Sequence, residues 1–414
     1  MSKDNKNFFE SKNSWSVIKD RLLGSYLVPY FQKILATGKP VLYVDCFSGK
    51  GKFEDGEKGS PLIAIDARKS CLANTHYKSD DSNIEMIFLE PKHCKILSKN
   101  VAECSPNNKY LNVIKGKYED SILNILSDKS GYNIFLYIDP YGIKALDYSI
   151  FENINKIGLS TIEMLINFNS FGFFRNACRV MKVNISNDEA FQNLDDLVEY
   201  EPTVLSEGEK AEELLNKIAG GDYWKDIVVK YNNREINGYQ AEKMLSEAYK
   251  NALKRSFKYV LDMPIRLKVG QRPKYRMIHV SNHESGCYLM VENILKRKDE
   301  LYFNIQLGGQ GDLFSDDTMS RTVEDDMLTI EEIETRVVLH LNNYQTIRLI
   351  KFIADFYSEN GVICDIGNIK ETLKSLENNG SLEVRRCPSN TKTGRKSCFW
   401  DEGKDKRVVL RYLR

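Results

Sequence analysis

Four apolar runs in this 414-residue chain each end in a residue type that can do chemistry. The first is VLYVDCFSGKGKFEDGEKGSP, Val41 to Pro61, where Asp45 closes the run and Phe47, Gly49 and Gly51 follow. Glycine lets backbone come close to a ligand. A dinucleotide site would read GxGxxG straight into a helix whose N-terminus holds the pyrophosphate. Here the third glycine is missing, a carboxylate stands where phosphate would be repelled, and eight residues separate Gly51 from Ser60 and Pro61. That chemistry suits a cationic, phosphate-free cofactor. S-adenosylmethionine carries an ammonium and a sulfonium for Asp45 to attract. The same run also reads as a plain turn.

The second run, EMIFLEP, ends in Glu90, whose carboxylate could accept both hydroxyls of a ribose or simply be an exposed charge. The third, VIKGKYEDSI, leads to Lys117 and Tyr118, either of which could flank an adenine; its Glu119 and Asp120 also favour a helix N-terminus. The fourth, LYIDPYG, places Asp139, Pro140 and Tyr141 in a row. A carboxylate and a nearby carbonyl can orient an amino group while an aromatic ring stacks on a planar acceptor. Methyl transfer is an in-line displacement, so such alignment supplies much of its acceleration. The alternative is an Asp-Pro turn that ends a strand. Downstream, NFNSFGFFRN sets Asn167, Asn169, Phe171 and Phe174 either around an acceptor pocket or, the preferred reading, at a packed strand-to-helix junction.

The elements that must position these residues follow from periodicity. Ser14 reads as the cap of a helix carrying Trp15, Ile18, Leu22, Tyr26, Tyr30 and Ile34, ending at Gly38, with aromatics for packing. Strands are expected at Val41–Cys46, Glu85–Glu90, Tyr110–Lys115, Ile134–Asp139 and Thr161–Asn167. Helices are expected between them at Pro61–Leu72, His93–Val101, Tyr118–Leu126 and Tyr148–Lys156. This alternation predicts an α/β fold with a parallel sheet covered on both faces. A helical insertion spans about 172–255. FKYVLDMPIRLKV and KYRMIHVSNH then form two strands joined by the GQRP turn, giving a Rossmann-like, mostly parallel sheet with one antiparallel strand at or near its edge. Residues 1–38 form the leading helix, 39–306 the main domain and 307–325 a Gly- and Asp-rich linker.

Residues 326–414 read as three helices and a hairpin, a winged-helix-like domain. Its loop is basic through Arg385, Arg386, Lys392, Arg395 and Lys396, which could follow nucleic-acid phosphates or serve protein docking or solvation. Net charge is only +1, so any such footprint is local. The composition, 42% hydrophobic and 28% charged, is that of a globular protein. Nine cysteines without a CxxC pair and five histidines without paired spacing predict free, mostly buried thiols and no metal site. The chain lacks a signal-peptide layout and any apolar stretch of ~20 residues, so a soluble cytoplasmic protein is expected.

DCFSGKG, GSPLIAI and YIDPYG, with the helix from Trp15 and MIHVSNHESGCYLM, resemble the three-Cys-motif partner family (TcmP) over roughly residues 10–300. The pattern DxFxGxG is matched at Asp45, Phe47, Gly49 and Gly51, with Ser48 and Lys50 in the variable places. The resemblance implies a class I methyltransferase-like fold, S-adenosylmethionine as cofactor and a co-encoded radical-type partner that carries the three cysteines. The expected activity is S-adenosylmethionine-dependent methyl transfer to an amino group of a nucleic-acid base. Asp45, Phe47, Gly49, Gly51, Glu90 and Tyr118 would hold the cofactor, and Asp139, Pro140 and Tyr141 the acceptor. The alternatives are a non-catalytic binding subunit of that partner and a winged-helix DNA-binding regulator.

Overall fold

The computed structural model describes residues 14–74, 81–192, 209–265, 273, 275–307 and 328–413. The GQRP turn, except for Pro273, and the linker beyond Leu307 lie outside the described residues. The chain divides into two compact units, Met1–Asn282 and His283–Arg414.

In the first unit, α1 (Ser14–Leu35) precedes β1 (Val41–Asp45), α2 (Ser60–Asn74), β2 (Ile84–Leu89), α3 (Cys94–Cys104) and β3 (Leu111–Ile114). Next come α4 (Tyr118–Leu126), β4 (Asn133–Ile138), α5 (Tyr148–Asn155) and β5 (Thr161–Phe168). Five helices follow: α6 (Ser170–Val180), α7 (Glu189–Gln192), α8 (Glu209–Ala219), α9 (Trp224–Asn232) and α10 (Gly238–Leu253). The strands β6 (Tyr259–Ile265) and β7 (Tyr275–Ser281) close the unit.

These strands form one sheet in the order β3-β2-β1-β4-β5-β7-β6. β1 to β5 pair in parallel, and β7 lies antiparallel between β5 and β6, next to the edge. The sheet is therefore mostly parallel with one antiparallel strand, as the sequence predicts. VLYVD and NIFLYI are buried along their whole length because both faces of β1 and β4 are covered. From β1 the chain runs outward to β3 and returns to β4 beside β1. The order thus reverses between these two strands, and their carboxyl ends open on the crevice where α/β sheets bind ligands.

Each face of the sheet has its own core. On one, Leu136, Ile138, Ile166 and Phe168 pack with Phe151, Trp224 and Tyr249 from the helices. On the other, α1 lays Tyr26 and Tyr30 within 5.7 and 5.2 Å of Phe135, measured between ring centroids. The Tyr26 hydroxyl donates to Glu163, which also lies 3.0 Å from His279 Nε2, so α1 is tied to β5 and β7 by a buried polar chain. The helical insertion is tied down in the same way. Arg276 of β7 sits between Glu242 of α10 (2.6 and 2.9 Å) and Asp262 of β6 (2.6 Å), and Lys250 donates to Asp262 at 2.6 Å. Buried charges are tolerated only when paired in this manner.

In the second unit, α11 (Glu284–Leu307) is followed by α12 (Ile330–Leu341), β8 (Ile347–Arg348), α13 (Leu349–Asn360), α14 (Ile366–Asn378), β9 (Leu382–Cys387) and β10 (Arg407–Tyr412). The strands form a small antiparallel sheet, β8-β10-β9. Thr329 and Glu332 form a reciprocal capping box at the start of α12. Among the described residues, no helix is long and apolar enough to cross a membrane.

Candidate functional site

The site is built at the carboxyl ends of β1, β2, β4 and β5. Asp45, the last residue of β1, is fully buried. Its Oδ1 accepts the Phe47 amide at 3.2 Å, while Oδ2 has no hydrogen-bond partner among the described residues. Burial pushes the carboxyl up to about 7; the Ser60 hydroxyl, the Phe47 amide and the Ser48 hydroxyl pull it down, and the Asp139 carboxylate adds to the rise. A buried acceptor left unmet costs about 1–3 kcal/mol, more if charged. Asp45 thus keeps one buried oxygen that no donor reaches within hydrogen-bond distance among the described residues.

The loop after Asp45 is held by local bonds. The Ser48 amide donates to Leu89 O at 3.0 Å and the Ser48 hydroxyl to Asp45 O at 3.1 Å, joining the ends of β1 and β2. Gly49 and Gly51 both take positive φ, 57° and 75°. At Gly51 a Cβ would also meet Leu97 Cδ1 of α3 at 2.8 Å, so this glycine is required by the turn and by packing together. Lys50 pairs with Glu54 at 3.2 Å.

Glu90 follows β2 and is nearly buried. Its Oε1 accepts the Lys92 and His93 amides at 2.7 and 2.9 Å, which fixes the turn into α3, and Oε2 makes no hydrogen bond among the described residues. Tyr118 opens α4, and its ring lies 5.6 Å from that of Phe47. Its buried hydroxyl has no hydrogen-bond partner among the described residues, and burial raises its pKa well above the ordinary value. Phe47 and Tyr118, singled out from separate motifs, thus form one aromatic wall.

Asp139 follows β4 and is the most heavily bonded group of the site. Lys19 Nζ of α1 donates to both of its oxygens, at 2.9 and 2.7 Å. Asn167 Nδ2 of β5 donates to Oδ1 at 2.6 Å and the Tyr137 hydroxyl to Oδ2 at 3.3 Å. Pro140 is buried, whereas Tyr141 is 61% exposed. A carboxylate only accepts when ionised, so the amide of Asn167 must turn its nitrogen to Asp139. That leaves Asn167 Oδ1 buried and unpartnered among the described residues.

Of the residues around Asp139, Lys19 and Tyr137 carry no signal of their own in the sequence. The four residues of NFNSFGFFRN divide between the two readings: Phe171 and Phe174 are core residues, Asn169 caps α6 by accepting the Gly172 amide at 2.7 Å, and Asn167 bonds to Asp139. The basic residues of the second unit also separate. Lys392, Arg395 and Lys396 are exposed, and Arg385 pairs with Glu383 at 2.8 Å. The Arg386 side chain is 4% exposed, bidentate to Glu377 at 2.7 Å, and stacked 5.1 Å from the Trp400 ring centre. Arg386 is therefore a strut of the hairpin.

No protein-family model and no curated protein matches the chain. Among solved structures, a Legionella pneumophila protein described by the family model DUF519 is similar at 14% identity and a TM-score of 0.36, covering 72% of this chain and 95% of its own. The plantazolicin methyltransferase BamL, solved with a triazolic desmethylPZN analog and SAH, is 10% identical with a TM-score of 0.27, over 64% of this chain and 85% of its own. The small RNA methyltransferase HEN1 is 11% identical with a TM-score of 0.27, over 62% of this chain and 25% of its own. Superposition this loose establishes nothing about chemistry, which has to come from the strand order and the side chains around Asp45 and Asp139.

Proposed function

We propose that the protein is an S-adenosylmethionine-dependent methyltransferase. One observation carries the reading: a fully buried, half-unmet carboxylate, Asp45, at the reversal point of a mostly parallel sheet. Anions left unmet at such a place call for a cationic ligand. The neighbouring groups fit the rest of that ligand. Asp45 Oδ2 would meet the methionine ammonium, the unbonded Oε2 of Glu90 a ribose hydroxyl, and the Phe47–Tyr118 wall the adenine, with Gly49 and Gly51 holding the loop shape. When bound, the cofactor supplies an electrophilic methyl on a sulfonium.

The acceptor side of the reading is an amino group, with a nucleic-acid base as its carrier. Its support is chemical: the cluster of Asp139 and Asn167 presents carboxylate and amide oxygens, and the N–H donor bound there is an ammonium. Pro140 and Tyr141 would flank a planar acceptor. After α11, the second unit is read as a winged helix from the order α12, β8, α13, α14 and the β9–β10 hairpin, with Lys392, Arg395 and Lys396 available to phosphates. The three-Cys-motif partner rests on the sequence resemblance.

Titration calorimetry with S-adenosylhomocysteine tests the cofactor assignment. Binding is expected, and Asp45→Ala is expected to weaken it about 30- to 150-fold, the ~2–3 kcal/mol of a charge-assisted bond. Absence of binding by the wild type at millimolar concentration would sink the proposal. The non-catalytic alternative is favoured by one observation, the complete occupation of Asp139 by the chain's own donors. It predicts that the protein binds S-adenosylhomocysteine while Asp139→Asn leaves biological activity intact.

A further inference from the structure

Both oxygens of Asp139 are engaged, and the donor common to them is not a sheet residue. It is Lys19, brought by α1 across 120 positions of sequence. Lys19 is 10% exposed in its side chain, and its ammonium also lies 5.3 Å from the centre of the Tyr275 ring at the start of β7. Asn167 completes the surroundings on the β5 side, with one buried oxygen that has no donor among the described residues. Carboxylate, amide oxygen and aromatic face together describe a receptor for a group with several N–H bonds. An ammonium offers three donors and takes both carboxylate oxygens, as Lys19 does, and the orphaned Asn167 oxygen leaves room for one donor more.

We infer that Asp139, Asn167 and Tyr275 form an amine subsite and that Lys19 occupies it as an internal stand-in for the acceptor. The acceptor amine then enters by displacing the Lys19 ammonium from Asp139, and Asn167 Oδ1 takes the additional N–H. α1 acts as the latch of the subsite, and Lys19 sets a threshold that weakly binding amines do not cross. This deepens the methyltransferase proposal and rests on it for the meaning of the amine. The subsite itself requires no cofactor.

The test removes the stand-in and supplies a substitute. In Lys19→Ala, propylammonium chloride is expected to raise the melting temperature saturably, by about 2–4 °C at ten times its dissociation constant. Tetramethylammonium and sodium chloride at equal ionic strength, which have no N–H donors, are expected to give no saturable rise. Wild type and the Lys19→Ala/Asp139→Asn double variant are expected not to respond to propylammonium. Should Lys19→Ala fail to fold, Lys19→Met keeps the aliphatic stem beside Tyr275 and vacates only the ammonium position, with ammonium chloride as the probe. A response shared by tetramethylammonium, by the wild type or by the double variant overturns the inference, as does no response in either single variant. S-adenosylhomocysteine calorimetry separates the two proposals. Cofactor binding without amine rescue removes the subsite alone, and amine rescue without cofactor binding removes the methyltransferase reading.

Discussion

Asp45 links the site to pH in two opposite ways. Its carboxyl is raised from the ordinary range to about 7 by burial, so the folded chain holds a proton that the unfolded chain releases near pH 4. The stability this gives is fully present below about pH 4 and is lost as the pH climbs through 7. At ~1.4 kcal/mol per pH unit the total approaches about 4 kcal/mol. Asp45→Asn cannot ionise, so its urea midpoint is expected to gain on the wild type between pH 4 and pH 7 and to level off above. Cofactor affinity runs the other way. A cation needs the ionised form, which is about a tenth of the population at pH 6 and nine-tenths at pH 8, so S-adenosylhomocysteine is expected to bind about tenfold tighter at pH 8 with proton release. Equal affinity at both values would show that Asp45 is not the anion used.

Elements position these residues by means that the sequence reveals unevenly. The strand ends were legible because a buried parallel strand is a continuous apolar run, and the first polar residue after it marks the carboxyl edge. Asp45, Glu90 and Asp139 were found in this way. Lys19 was not, because nothing in the spacing of a single lysine on a helix marks it, and its partner lies 120 residues along the chain. Tyr137 was hidden inside an apolar strand. The insertion helices were legible as helices, whereas the charges that tie them down, Glu242, Asp262 and Arg276, look like surface residues until β6, β7 and α10 are brought together. Arg276→Met would leave Glu242 and Asp262 buried with one cation fewer. A loss of about 3–5 kcal/mol in unfolding free energy is expected by urea denaturation. A change below ~1 kcal/mol would show that the insertion is held by its apolar packing.

Across the whole molecule, a net charge of +1 leaves no long-range field to gather nucleic acid, so contact must be local to the hairpin of the second unit. The structure divides its cations by job. Arg386, sealed against Glu377 and Trp400, is expected to matter for stability: Arg386→Ala should cost about 2–4 kcal/mol and leave the salt dependence of any nucleic-acid binding unaltered. Replacing Lys392, Arg395 and Lys396 together by alanine should leave stability within ~0.5 kcal/mol and lower the slope of log affinity against log salt by up to about 2.7, or ~0.9 per lost phosphate contact on duplex DNA. An unchanged slope would assign the loop to protein docking or to solvation.

The buried chain of Tyr26, Glu163 and His279 has a consequence in time as well as in space. α1 is made before the sheet it lies on, and two of the residues that complete its surroundings, His279 and Tyr275, leave the ribosome after some 250 further residues. At ~5–20 residues per second that delay is on the order of 10–50 seconds. Through this interval α1 has α2 and the early strands to lie against, but not β7. α1 is thus fully locked only some 250 residues after it is made, and the amine subsite it completes is assembled only when synthesis has passed β7.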